Sequence, residues 1–208
     1  MAGGYTGSRR YVLDNQRLHK HAELFVNVKC DTHGTKHFEI LAEEGWRAAT
    51  EHVLRKMVES EAETSLPQMR VKTRLAPDNY VFRIAPGDVI EGRSVFVIDI
   101  APRRSDKYLF RGRIWVDAKD YALVRAEGEP AKNASFWIRS VHFVQQYRPN
   151  GSFWFPSSTD STTEALIFGR TKVSISYFNY LPDSLQARAN LGLKGPANDG
   201  KNLRQGSQ

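Results

Sequence analysis

"YLFRGRIWVDAKDYALVRAEGEP", Tyr108 to Pro130, decides how this chain folds. Aromatic and basic side chains alternate along it, so it reads either as a nucleic-acid-binding surface or as a half-buried hairpin. Successive side chains of a strand point to opposite faces. That rule puts Phe110, Ile114 and Val116 together with the small Gly112, and Leu109, Arg111, Arg113 and Trp115 opposite them. "DAKD", 117–120, supplies a turn between the two halves. The arginines recur because strands alternate, which requires no nucleic acid. Arg111 facing Glu127 across the hairpin would compensate part of the charge.

The same alternation extends both ways. In 93–101 it groups Phe96, Ile98 and Ile100, and in 135–147 it groups Phe136, Ile138 and Val144. "HAELFVNVKC" places Ala22, Leu24, Val26, Val28 and Cys30 on one face, "DTHGT" turns the chain, and "KHFEILA" brings Phe38 and Ile40 inward, so 20–42 forms a hairpin. From Trp46 to Ala62 the period changes to that of a helix. Trp46, Ala49, Val53, Met57 and Ala62 form its stripe, Leu54 and Val58 widen it, and Glu51 and Arg55 stand four apart for an ion pair. After Pro67 strands return, at 79–85, 93–101, 107–116, 121–128, 135–147, 152–155, 159–168 and 170–181. Asn150-Gly151 is a strong hairpin signal. These pieces follow at hairpin distance with no helix between them, which predicts an antiparallel meander. A single domain over 1–182 and a mobile tail over 183–208 are expected, because periodicity stops there and Gly, Asn, Gln and Lys accumulate.

The bulk composition narrows the chemistry. The chain has 208 residues, 25% charged, with a formal net charge of +7. Such an excess suits an acidic partner but is also an ordinary surface. Cys30 is the only cysteine, so no intrachain disulfide can form. No apolar run reaches the ~18 residues of a membrane span. "MAGGYTGSRR" is not a signal peptide, since its charges lead into a strand-like run, so an exported protein would need a leader upstream.

Sites of chemistry are sparse. Cys30, His33 and His37, with His19 and His21, lack a second ligand pair at zinc-finger spacing, and Cys30 continues an inward apolar series, so no metal is expected. No nucleophile elbow, HExxH or phosphate loop occurs, and no cofactor is expected. His142 reads as lying on the apolar face of its strand; Asp117, Asp120, Glu127 and Glu129 read as solvated acids. Arg103, Arg104, Lys107, Arg111 and Arg113 form a basic rim suited to an anionic membrane surface or a docking partner. Trp115 and Trp137 stand beside it, but no RNA-binding signature accompanies them, and nucleic acid is disfavoured.

The strand–Asp117–turn–strand unit, the Phe153-Trp154-Phe155-Pro156 strand and the closing Ser174–Tyr180 strand resemble the LolA/LolB-like superfamily of bacterial periplasmic lipoprotein carriers, in particular its relatives called outer membrane lipoprotein-sorting proteins. The resemblance covers 80–181, and before that only the element order agrees. It implies an α+β fold: an open, curved antiparallel sheet, an incomplete barrel, with one main amphipathic helix on its concave face. It also implies a non-enzymatic, monomeric carrier in the periplasm or cell envelope that accepts lipid or lipoprotein acyl chains. The residues that would line the cavity are Phe38, Ile40, Phe82, Ile84, Phe96, Ile98, Phe110, Ile114, Phe136 and Ile138, with Trp46, Val53 and Met57 from the helix. Plain core packing is the alternative role for each. Two other functions stay open: an envelope interaction module docking through the basic rim, or a hydrolase using His142 or the Cys30/His33 group.

Overall fold

A computed structural model describes residues 3–133, 138–151, 153–166 and 169–183. Phe136 and Trp137 lie outside the described residues, as does the expected tail beyond Asp183. The chain begins with three strands, β1 (Tyr5–Asn15), β2 (Lys20–Cys30) and β3 (Lys36–Gly45). Gly45, at φ +83°, ends the last of these; a Cβ there would meet the carbonyl oxygen of His21 at 2.4 Å, so only glycine lets the chain turn off the sheet. The helical segment follows as α1 (Arg47–Ala49), a π-type turn over Thr50–Leu54, and α2 (Arg55–Ser65). Pro67 opens a further helix, α3 (Pro67–Thr73), in the first-turn position where its missing N–H costs nothing. Seven strands complete the fold: β4 (Tyr80–Ile90), β5 (Arg93–Pro102), β6 (Phe110–Asp117), β7 (Leu123–Pro130), β8 (Ile138–Asn150), β9 (Phe153–Ala165) and β10 (Gly169–Pro182).

Among the described residues the ten strands form one antiparallel sheet in the order β3-β2-β1-β10-β9-β8-β7-β6-β5-β4. The expected meander is therefore two meanders joined where β1 pairs with β10, Leu13 opposite Val173 and Tyr11 opposite Ile175. The sheet does not close; β3 and β4 are its edges. It curves, and the main helix packs on the concave face. There Ala49, Leu54 and Val58 meet Tyr11, Leu13, Ala22, Leu24, Val26, Val173 and Ile175 in the principal core. Each fully buried Leu or Val of this kind contributes about 1.5–3 kcal/mol. Ala49 and Leu54 both reach that core although five residues apart, because the π turn inserts an extra residue between them. The same turn displaces Glu51 from Arg55. Arg47 Nε donates to Glu51 at 2.7 Å instead, and Arg55 pairs with Glu43 of β3 at 2.6 Å.

The 108–130 hairpin forms with Phe110, Ile114 and Val116 packed on the concave side around Tyr80, Ile100 and Leu109. Its register places Arg111 opposite Glu129 and Arg113 opposite Glu127, two residues from the expected pairing. Gly112 and Gly128 face each other so closely that a Cβ on Gly112 would stand 2.0 Å from the Glu127 carbonyl oxygen. The opposite face also has a small core: Val95, Val97, Trp115 and Val124 are buried together, with Trp154 against them. Arg125 lies over the Trp115 ring at 5.0 Å, so this tryptophan is covered rather than offered to a ligand. In β8 an irregularity between Ile138 and Ser140 reverses the alternation beyond it. Phe143 therefore faces the concave core, while Val144, opposite Asp160, and His142, opposite Thr162, take the other side.

Candidate functional site

The helix stripe is wider than the core it serves. Ala49, Leu54 and Val58 are seated in the core, and Trp46, Val53 and Met57, along the flank of the stripe, border a cavity of about 1070 Å³. Its sheet side is built from Leu13 and Asn15 of β1, Thr171 and Val173 of β10, Thr163 and Ala165 of β9, and Ile138 of β8. Polar side chains collect at its rim: His52, Lys56, Glu59 and Glu63 from the helix, Lys107 and Tyr108 from the loop between β5 and β6. A largely apolar interior, interrupted by Asn15, Thr163 and Thr171, with charged groups at its edge and a volume just above the usual for a ligand pocket, is the arrangement that takes an amphipathic molecule.

One wall of the cavity is held by buried charge. Glu61 of α2 lines it and accepts from two cations beneath the helix, Arg9 Nη1 and Lys36 Nζ, the latter at 2.7 Å. Arg9 is 1% exposed and its guanidinium lies between the rings of Tyr177, at 4.9 Å, and Phe38, at 5.1 Å. Burial alone would push the Glu61 carboxyl up, but Lys36 and Arg9 outweigh it and hold it down at about 2. Around this cluster the buried hydroxyls are pushed up by loss of solvent, Tyr11, Tyr147, Tyr177 and Tyr180 among them. Tyr180 stacks on Phe155 at 4.1 Å.

Of the residues expected to line a cavity, Trp46, Val53, Met57 and Ile138 border this one. Phe38 packs between the principal core and the Tyr5–Val28–Cys30–Phe155 cluster, where it covers Arg9. Ile98, Phe110 and Ile114 belong to the second concave core. Ile40, Phe82, Ile84 and Phe96 are exposed, Ile84 at 81%. Ile40 lies on the edge strand β3, Phe82 and Ile84 lie on the other edge strand β4, and Phe96 stacks on Tyr121 at the rim of the sheet.

The basic rim is largely engaged within the protein. Arg103 Nε donates to the Pro77 carbonyl at 2.7 Å, and Arg104 donates to Asn79 Oδ1 at 2.7 Å and to the Lys72 carbonyl, which ties the β5–β6 loop to α3 and the start of β4. Arg113 pairs with Asp99 at 2.8 Å and Arg111 donates to the Ala131 carbonyl at 3.3 Å. Lys107, over the Tyr108 ring at 4.5 Å, alone of the five borders the cavity. Asp117, read as a solvated acid, is 1% exposed; it accepts from the N–H groups of Lys119 and Asp120 and from Arg93, which hold its carboxyl well below the usual range. His142 stands on the outer face, 3.5 Å from Glu127, while Cys30 is buried on the concave face of β2, with β1, β10 and β9 between them. Among the described residues no three His, Cys, Asp or Glu converge as metal ligands.

Sequence reading missed Arg9, Lys36 and Glu61. The signal was present in part: alternation through "SRRYVLDN" puts Arg9 on the face of Tyr11 and Leu13.

Such a sheet, open at both edges and carrying the main helix over a lined cavity, defines an open half-barrel. Residues 74–183, just over half of the chain, match the profile of the Family of unknown function (DUF5686), and the chain belongs to that family. Among solved structures, it is similar to a LolA superfamily protein from Nitrosomonas europaea, at 9% identity and a TM-score of 0.45, with 88% of this chain and 90% of that one covered. A DUF1329 family protein from Desulfovibrio piger aligns at 10% identity and a TM-score of 0.45, covering 88% and 87%. A domain from Vibrio parahaemolyticus named for outer membrane lipoprotein sorting aligns at 12% identity and a TM-score of 0.42, covering 93% and 92%. At these values the likeness concerns strand arrangement and carries no ligand or activity with it. No curated protein matches the chain.

Proposed function

We propose that the protein is a non-enzymatic carrier that binds lipid or lipoprotein acyl chains in the periplasm or cell envelope, a role related to outer-membrane lipoprotein sorting, with residues 1–182 as its functional unit. The observation that carries this reading is the cavity of about 1070 Å³ between helix and sheet, bordered by Leu13, Trp46, Ala49, Val53, Met57, Ile138 and Val173. An alkyl chain entering it gains about 0.8 kcal/mol per methylene removed from water, so ten methylenes supply about 8 kcal/mol against the cost of association. The test is delipidation followed by displacement of a fluorescent fatty acid, with native mass spectrometry of freshly purified protein for co-purifying lipid. Binding that competes with unlabelled fatty acid supports the reading. A protein that takes up no probe and carries no lipid overturns it.

A further inference from the structure

We infer that the molecule seated in the cavity carries a zwitterionic head group, a phosphate and an ammonium close together, read at the mouth by Lys107 and Glu63. This rests on the carrier reading above and names the class of amphiphile it would take.

The charges that border the cavity are unequally paired. Five carboxylate or ammonium groups stand there: Lys56, Glu59, Glu61, Glu63 and Lys107. Three of them are neutralised within the protein. Lys56 pairs with Glu59 at 2.6 Å, and Glu61 is held between Arg9 and Lys36. Glu63 and Lys107 remain. Among the described residues neither has an opposite charge at ion-pair distance, and both lie at the surface. They flank one side chain, Tyr108, whose hydroxyl donates to Glu63 Oε2 and whose ring carries the Lys107 ammonium at 4.5 Å. The bridge from Tyr108 to Glu63 joins the β5–β6 loop to the last turn of α2, so a carboxylate at the Tyr108 hydroxyl and an ammonium over the Tyr108 ring share one side chain at the edge of the cavity.

That pair selects among amphiphiles of equal chain length. A fatty-acid carboxylate satisfies Lys107 and sets its charge against Glu63. A cationic amphiphile does the reverse, and a glycerol ester satisfies neither. A phosphate with an ammonium two carbons away meets both, its phosphate on Lys107 and its ammonium on Glu63. Both protein groups are solvent-exposed, so each contact is a modest one, worth about two- to fivefold in affinity.

The experiment is displacement of dansyl-undecanoic acid from the delipidated full chain by four competitors of one chain length, each below its micelle-forming concentration: lysophosphatidylethanolamine, lysophosphatidic acid, a monoacylglycerol and an alkyltrimethylammonium. The unmodified protein is expected to prefer the first over the other three by about two- to fivefold each. Lys107→Met should erase its advantage over the alkylammonium, and Glu63→Gln its advantage over lysophosphatidic acid. Equal affinity for all four overturns the head-group assignment and leaves the carrier reading standing. A preference that survives both substitutions also overturns it. Uptake of the probe with no displacement by any of the four overturns the head-group assignment alone, and no uptake of the probe together with no co-purifying lipid removes the carrier reading itself. Because the competitor series is read on the unmodified protein first, a variant that fails to fold does not decide the outcome.

Discussion

Arg9 of β1 donates to Glu61 of α2 beneath the helix, and Arg9 is 1% exposed. A guanidinium so placed is tolerated only while its charge is answered, here by one carboxylate and two aromatic faces. The pair therefore fixes where the helix lies more than how stable the protein is.

Breaking the cluster from one side should be costly. Glu61→Gln leaves the buried Arg9 and the half-buried Lys36 without an anion and is expected to destabilise by about 3 kcal/mol, the lower end for a severed buried pair. Replacing all three, Arg9→Met, Lys36→Met and Glu61→Leu, should recover most of that loss. Urea unfolding followed by tryptophan fluorescence measures both. A single variant as stable as the parent would show that the cluster contributes nothing.

Acid should loosen the same contact. The Glu61 carboxyl sits at about 2 in the folded protein, below its ordinary value of 4.5. A carboxyl lowered on folding stabilises the native state fully above its unfolded value and loses that contribution as the pH falls. Stability should accordingly decline between about pH 4.5 and pH 2, and Glu61→Gln should flatten this decline. Urea midpoints measured at half-unit intervals give the comparison.

At the centre of the 108–130 hairpin, Gly112 and Gly128 leave no room for a methyl group on either strand. Gly112→Ala and Gly128→Ala are each expected to destabilise by more than about 1 kcal/mol, because the backbones must separate. Hydrogen exchange of the β6 and β7 amides should rise in both variants. Unchanged protection would count against the close approach.

The flank of the helix stripe offers a test of the cavity that spares the core. Val53→Glu and Met57→Glu place a charge against apolar lining, which should weaken binding of an alkyl probe by tenfold or more. Val53 is exposed, so the melting temperature of Val53→Glu should move little, whereas Met57 also packs against the principal core and its variant should lose some stability. Loss of binding together with loss of folding would place these residues in the core instead.

What the sequence made legible was local. Alternation in 108–130 sorted Phe110, Ile114 and Val116 correctly from Arg111, Arg113 and Trp115 but misplaced Leu109, which precedes β6 and is buried in the concave core, and a period of 3.6 located the helix within a few residues of Arg47–Ser65. The failures share a cause, since each depends on one inserted residue or on a distant partner. The irregularity at Ile138/Ser140 reversed His142 and Val144, and the π turn moved Glu51 away from Arg55. Pro67, read as the end of helical structure, starts α3. Phe82, Ile84 and Phe96 have the parity of lining residues, but parity does not say how far a helix reaches across ten strands, and these three are exposed. Arg9 was hidden because nothing near it in sequence supplies Glu61, which comes 52 residues later.

The pairing of β1 with β10 also sets a timetable. On a growing chain the N-terminal meander has its helix and its own hairpins early, but the principal core stays open until Val173 and Ile175 have been made. Until then β1 presents a bare edge and Arg9 lacks the Tyr177 face of its cage. Contacts of such sequence separation are slow to form. The sheet therefore stays incomplete until β10 has been made, and that strand acts as the keystone for both halves at once.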